Sequence, residues 1–164
     1  MVALAVWVKW PDSFYEMRSG VGCPICAEGR PVETRDGVRV FSGRLADAYL
    51  KRAAIQRGYT VAYWRGRHVA EPTELTDDEA SAYWLEVLDV AHALEKHFRP
   101  VKSNYNLLGN SVPHLHTHIV PRYADDPRPG WPFPFPETDP PPFEEGMFRS
   151  DVEELRRILA GLSQ

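Results

Sequence analysis

An α+β fold, a sheet packed against one long helix, is predicted from three observations. Residues 59–64, Tyr-Thr-Val-Ala-Tyr-Trp, are β-branched and aromatic and read as a strand. In His114-Leu-His-Thr-His118 the histidines alternate with other side chains. A strand turns successive side chains to opposite faces, so His114, His116 and His118 line one face and Leu115, Thr117 and Ile119 the other. Thr76 and Glu79 form a capping box. Apolar residues follow at Ala80, Trp84, Val87, Leu88, Ala91, Leu94 and Phe98, the i/i+3/i+4 stripe of a helix that covers one face of the sheet.

The other elements follow in order. The opening Met1–Val8 is apolar but short and has no basic start, so it reads as neither a signal peptide nor a spanning helix. A short helix is expected at 13–19. Cys23-Pro-Ile-Cys26 stands between glycines and Ala27-Glu-Gly-Arg-Pro31, which is loop chemistry. Arg35-Asp-Gly37 signals a turn into a strand over 38–42. Gly43-Arg44 then turns the chain into a second strand over 45–50, with a helix over 45–57 capped by Gly58 as the competing reading. His92 and His97 fall on different faces of the long helix and read as rim residues. Pro100 ends that helix. Residues 101–108 lead through Gly109-Asn110 into the histidine strand. Between Tyr123 and Pro142 lie eight of the chain's fifteen prolines. That density excludes regular structure and predicts an extended strap over the body or over a second subunit. Ser150 is expected to cap a C-terminal amphipathic helix over 151–162.

The chain has 164 residues, the length of one domain. Its core is expected at about 20–123, followed by the proline-rich extension at 124–149 and the C-terminal helix at 150–162. The net charge of −4 gives no electrostatic case for nucleic acid or an anionic membrane as partner. An anionic substrate needs local cations. No apolar run reaches spanning length, and a cytoplasmic protein is the expectation.

The two cysteines, spaced Cys-x-x-Cys, suit metal ligation or a redox pair. Three alternating histidines suit one catalytic metal, which leaves the cysteines without partners. A divided reading uses more residues. Cys23, Cys26, His68 and His114 make a closed tetrahedral Cys₂His₂ site for a structural Zn²⁺. His116 and His118 are then free for nucleophilic and acid–base work on a phosphate. Asn110 and Ser111, at the entry to the strand, are placed to donate to phosphate oxygens. Arg122 adds charge there if it turns inward, and is otherwise a surface cation.

Gly109-Asn-Ser-Val-Pro-His-Leu-His-Thr-His-Ile-Val-Pro-Arg122 resembles the signature of the histidine triad (HIT) superfamily. Cys23-x-x-Cys26, Arg67-His68-Val69 and the following Glu74–Glu79 are similar to its zinc-containing branch, and the likeness spans roughly residues 20–123. The resemblance implies a HIT-like antiparallel sheet with helices, usually in a homodimer. It implies hydrolysis or nucleotidyl transfer at the α-phosphate of a nucleotide, with the middle histidine, His116, as nucleophile. It implies zinc on Cys23, Cys26, His68 and His114. A nucleotide-binding regulatory or adaptor protein is the alternative. Asn104 and Asn106 are both candidates for a sugar contact. The chain departs from the family in having Gly109-Asn-Ser111 for Gly-Gln-Ser, and Ile55-Gln-Arg-Gly58-Tyr59 for Pro-x-x-Gly-His. Both stretches shape the nucleoside pocket.

Overall fold

The computed structural model describes residues 9–162, and the apolar opening Met1–Val8 lies outside them. Two short helices, α1 (Asp12–Arg18) and α2 (Pro24–Glu28), precede three strands, β1 (Gly37–Ser42), β2 (Ala46–Lys51) and β3 (Thr60–Trp64). Helix α3 (Asp77–Phe98), β4 (Lys102–Asn106), β5 (His116–Arg122) and α4 (Glu145–Leu162) complete the chain. The strands form one sheet in the order β1-β2-β3-β5-β4, every neighbouring pair antiparallel. The α+β class and the antiparallel sheet agree with expectation.

Alternation sorts the sheet into two unlike faces. One face carries Val38, Ala46, Ala48, Leu50, Ala62, Trp64 and Ile119, all buried against α3 and α4. Helix α3 contributes Tyr83, Val87, Val90, Ala91 and Leu94, and α4 contributes Phe148, Val152, Leu155 and Leu159. Three alanines with no exposed surface, Ala46, Ala48 and Ala62, let the helices close on β2 and β3. The Tyr83 hydroxyl reaches through this core to the Ala62 carbonyl at 3.1 Å and the Thr117 hydroxyl at 2.9 Å. The α3 cap is as expected, with Thr76 Oγ1 accepting from Glu79 N–H and the Glu79 carboxylate accepting from Thr76 N–H.

The opposite face carries Asp47, Tyr49 and Lys51 on β2, Val61 and Tyr63 on β3, and His116, His118 and Val120 on β5, as the register requires. Asp47 is fully buried there. It accepts two hydrogen bonds from Arg30, at 2.6 and 2.7 Å, and one from Arg65 at 3.1 Å, with Arg39 at 3.7 Å. Burial alone would raise its pKa, but the Arg30 bonds and the surrounding guanidinium charge outweigh it and hold the carboxyl below its ordinary value.

Several boundaries differ from expectation. The strand expected over 45–50 is β2, shifted by one residue to 46–51, and the competing helix over 45–57 does not form, because alternate side chains here must serve two faces of a sheet. Gly58 does adopt a left-handed backbone (φ +81°), but it turns the chain into β3, and a β-carbon there would lie 2.7 Å from the Phe98 ring. The cysteine motif is one helical turn rather than loop, with Cys23 at the N-cap of α2. Residues 102–106, expected only as a lead-in, form the edge strand β4. Helix α4 begins at Glu145 rather than after Ser150, because the Glu144 carboxylate accepts from the N–H groups of Gly146 and Met147 and caps it earlier. His97 is not idle: its Nε2 lies 2.7 Å from Asp151, which also takes two bonds from Arg57.

The proline-rich segment is the extended strap expected, and it lies on the body. Phe133 and Phe135 pack on Tyr59, Val61 and Val120 of the histidine face. Its far end is held by Ala54 N–H on the Pro141 carbonyl and Phe143 N–H on the Arg52 carbonyl. Its near end is held by Arg122, which donates to Asp126, to Asn104 Oδ1 and to the carbonyls of Arg128 and Trp131. Arg122 is therefore neither a surface cation nor a group turned to substrate. It is buried, and its donors are taken by the strap and by Asn104 of β4.

Candidate active site

The first histidine stands apart from the other two. β5 begins at His116, and His114 occupies the bend before it, positioned by His114 N–H on the Val112 carbonyl and Leu115 N–H on Val69. Its ring is buried beside the cysteines. His114 Nδ1 lies 3.5 Å from both sulfurs, and Cys26 Sγ lies 3.4 Å from His68 Nδ1. All four donor atoms lie within 4.8 Å of one another. A tetrahedral ion bound at about 2.3 Å to sulfur and about 2.0 Å to nitrogen spaces its ligands roughly 3.3–3.8 Å apart. The four side chains therefore fit such an ion.

Two further features favour ligation. The Trp64 carbonyl can only accept, so His114 Nε2, 2.9 Å away, carries the proton and Nδ1 presents its lone pair to the sulfurs. Burial lowers the His114 pKa to about 4, so the ring is neutral, as a ligand must be. Burial and then the Cys23 sulfur raise Cys26 to about 11, so a cation that binds here displaces a proton. His68 Nε2 is buried with no partner among the described residues.

His116 and His118 form the second half of the site. Their rings are 4.7 Å apart. His116 Nδ1 lies 2.6 Å from the His114 carbonyl, which can only accept, so Nδ1 carries the proton and Nε2 keeps a free lone pair. His118 Nδ1 lies 2.7 Å from the Tyr59 hydroxyl, and the Tyr59 ring stacks on the imidazole at 5.9 Å and 16°. Phe135 of the strap meets His118 edge-on at 5.9 Å. Tyr63 flanks His116 at 5.7 Å. Burial lowers both pKa values, that of His118 to about 3, assisted by the charges of His116 and Lys51. Lys51 also lowers His116.

The candidate phosphate and sugar contacts separate. Asn104 and Asn106 are on the histidine face, paired with Val120 and His118. Asn104 gives its carbonyl oxygen to Arg122. Asn106 and Ser111 are half-buried, Asn110 is exposed, and the side chains of all three lack hydrogen-bond partners among the described residues. Asn110 and Ser111 lie in the loop between β4 and β5, where Gly109 takes φ +63°. Sequence reasoning missed Tyr59, Lys51 and Phe135. The first two were within reach of it, because period-two alternation from Val61 and from Asp47 leads to them. The placement of Phe135 belongs to the strap and had no local signal.

A row of imidazoles on an antiparallel sheet, anchored through its first member to a Cys/His cluster, defines a histidine-triad domain. The chain belongs to that family, since the HIT domain model matches residues 34–125. It is 30% identical over 91 residues to Protein hit of Bacillus subtilis (strain 168), a match that covers 52% of this chain and 62% of that protein. Among solved structures it resembles a histidine triad protein from Marinobacter aquaeolei VT8, with TM-score 0.68, 26% identity, and 77% and 91% of the two chains covered. It shares its fold with a Zn-bound histidine triad family protein from Mycobacterium smegmatis, with TM-score 0.58, 20% identity, and 86% and 93% covered. No helix among the described residues is long and apolar enough to cross a membrane.

Proposed function

We propose that the protein is a HIT-type hydrolase or nucleotidyl transferase acting at the α-phosphate of a nucleoside phosphate, dinucleoside polyphosphate or phosphoramidate. The observation that carries this reading is the bond from His116 Nδ1–H to the His114 carbonyl, which leaves Nε2 with a free lone pair. Nε2 attacks phosphorus, and the P–O or P–N bond to the leaving group breaks as a nucleotidyl-His116 bond forms. The phenol of Tyr59, kept protonated by burial, donates to His118 Nδ1 and so places the His118 proton on Nε2. From there it reaches the leaving group or a non-bridging oxygen. Water then attacks phosphorus, its proton replaces the one His118 gave up, the P–N bond breaks with its electron pair returning to His116 Nε2, and the nucleoside monophosphate leaves. Asn106, Asn110 and Ser111 are free to bind phosphate or sugar.

Cys23, Cys26, His68 and His114 would hold a structural zinc, as the donor spacing supports. It would tie α2 to the start of β5 and hold the His114 carbonyl against His116. A homodimer through the edge strand β4 is favoured by its unpaired side and by the exposed Trp84, Leu85, Leu107 and Leu108 nearby. The cysteines are both free, in keeping with a reducing cytoplasm. A second reading, nucleotide binding without turnover, is favoured by Phe135 lying against His118.

Incubation with dinucleoside polyphosphates, nucleoside diphosphates and adenosine phosphoramidate tests these readings. Release of a nucleoside monophosphate supports the enzyme, and binding without product supports the second reading. The proton placement has its own test. Tyr59→Phe keeps the stacked ring and removes one hydrogen bond, so kcat is expected to fall about 10-fold with KM nearly unchanged. An unchanged kcat removes Tyr59 from the mechanism.

A further inference from the structure

The negative net charge leaves attraction of an anionic substrate to local cations, and the arginines of the histidine face are committed. Arg30, Arg39 and Arg65 serve Asp47, and Arg122 serves Asp126, Asn104 and the strap. Lys51 differs. It ends β2 on the histidine face, is half-buried, and its ammonium makes no hydrogen bond or ion pair among the described residues. The carboxylates of Asp36, Asp139 and Glu28 act on it only through space. Burial lowers its pKa, which is the cost of holding a cation without a partner.

Lys51 lines a pocket with Ile25, Thr34, Tyr49, Tyr63 and Arg65, and Glu28 and Asp36 stand at the same pocket. Tyr63 is shared with the catalytic pair, since its ring also flanks His116. Lys51 is two strands from β5, about 10 Å across the sheet. Its charge is felt at both His116 and His118. By register Lys51 is level with Tyr59 and Val120, on the His118 side of the pair, so it suits a group next to the scissile phosphate rather than the scissile phosphate itself.

We propose that Lys51 receives a second anionic group of the substrate, the phosphate adjacent to the one His116 attacks. This rests on the nucleotide reading above and narrows it. The substrate class becomes nucleoside diphosphate and polyphosphate derivatives, in preference to monophosphate esters or phosphoramidates with uncharged leaving groups. The phosphate supplies the charge-assisted bonds that Lys51 lacks.

The test is calorimetric binding of AMP and of ADP, without added magnesium, to zinc-loaded full-length protein carrying His116→Asn to block turnover. ADP is expected to bind about 10-fold tighter than AMP. That gain is expected to vanish in Lys51→Met, which keeps the alkyl stem, and in Lys51→Gln, which stands in should the first variant not fold. If ADP gains nothing over AMP, or keeps its gain in a folded variant, the Lys51 subsite is overturned while the nucleotide reading stands. If neither nucleotide binds, both fall.

Discussion

His116→Asn is expected to lower turnover by at least about 10³-fold while leaving fold and metal content intact. Asparagine keeps an N–H that can donate to the His114 carbonyl, now 2.6 Å from His116 Nδ1, so the strand entry has no reason to rearrange. What disappears is the Nε2 lone pair, and with it the covalent intermediate. Rapid quenching of wild-type protein with an α-labelled nucleotide should trap acid-labile label on the chain, and the variant should trap none. A variant that retains full activity excludes His116 as nucleophile. The pH profile carries a linked expectation. Burial lowers the pKa values of His116 and His118 from the ordinary histidine value of 6.5, that of His118 to about 3, so the acid limb of kcat/KM should lie below pH 6.5. Stability falls in the same direction. Below pH 6.5 the unfolded chain takes up protons that these two folded histidines refuse, so their contribution destabilises progressively as pH falls.

The second large effect concerns the metal. Purified protein is expected to contain about one zinc per chain, and Cys26→Ser to contain almost none. Cys26 contacts both histidine donors, at 3.4 and 3.5 Å, so its loss removes the donor that links His68 to His114. The cluster joins segments that are far apart in sequence, α2 with His68 and with His114 at the entry to β5. A loss of at least about 3 kcal/mol is expected, roughly 6–12 °C in the melting midpoint for a domain of this size. Chelator should produce the same shift in the wild type. Wild-type protein free of zinc after chelator-free preparation, with an unchanged midpoint, would falsify the site.

Much of the fold was legible because its signals are local. The α3 cap needs only Thr76 and Glu79, and its stripe needs only helical periodicity. β3 and the histidine row announce themselves by composition and alternation. The harder segments were those in which local preference and tertiary demand disagree. Residues 45–57 have helix-forming alanine and leucine, yet β2 forms because Ala46, Ala48 and Leu50 pack under α3 and α4 while Asp47 and Tyr49 serve the other face. β4 has a weak pattern, Lys-Ser-Asn-Tyr-Asn, and exists by pairing with β5. The N-terminus of α4 was set by Glu144 rather than by the better-known cap residue Ser150.

The candidate site divides along the same line. The sequence by itself pointed to Cys23, Cys26, His68 and His114 as one cluster and to His116 and His118 as a separate pair, because residue type and spacing carry that information, and the structure brings the four donor atoms of the cluster within 4.8 Å of one another. Only the tertiary structure decided what surrounds each imidazole. It brought Tyr59 to His118 and the Trp64 carbonyl to His114, and it laid Phe135 against His118 from a strap whose prolines say nothing about where it lands. It turned Arg122 away from the site and left Lys51 beside it without a partner among the described residues. The physical reason is that a strand pattern fixes which side chains share a face. Which charges are neutralised there, and which remain for a ligand, depends on partners distant in the chain that meet only when the sheet has closed.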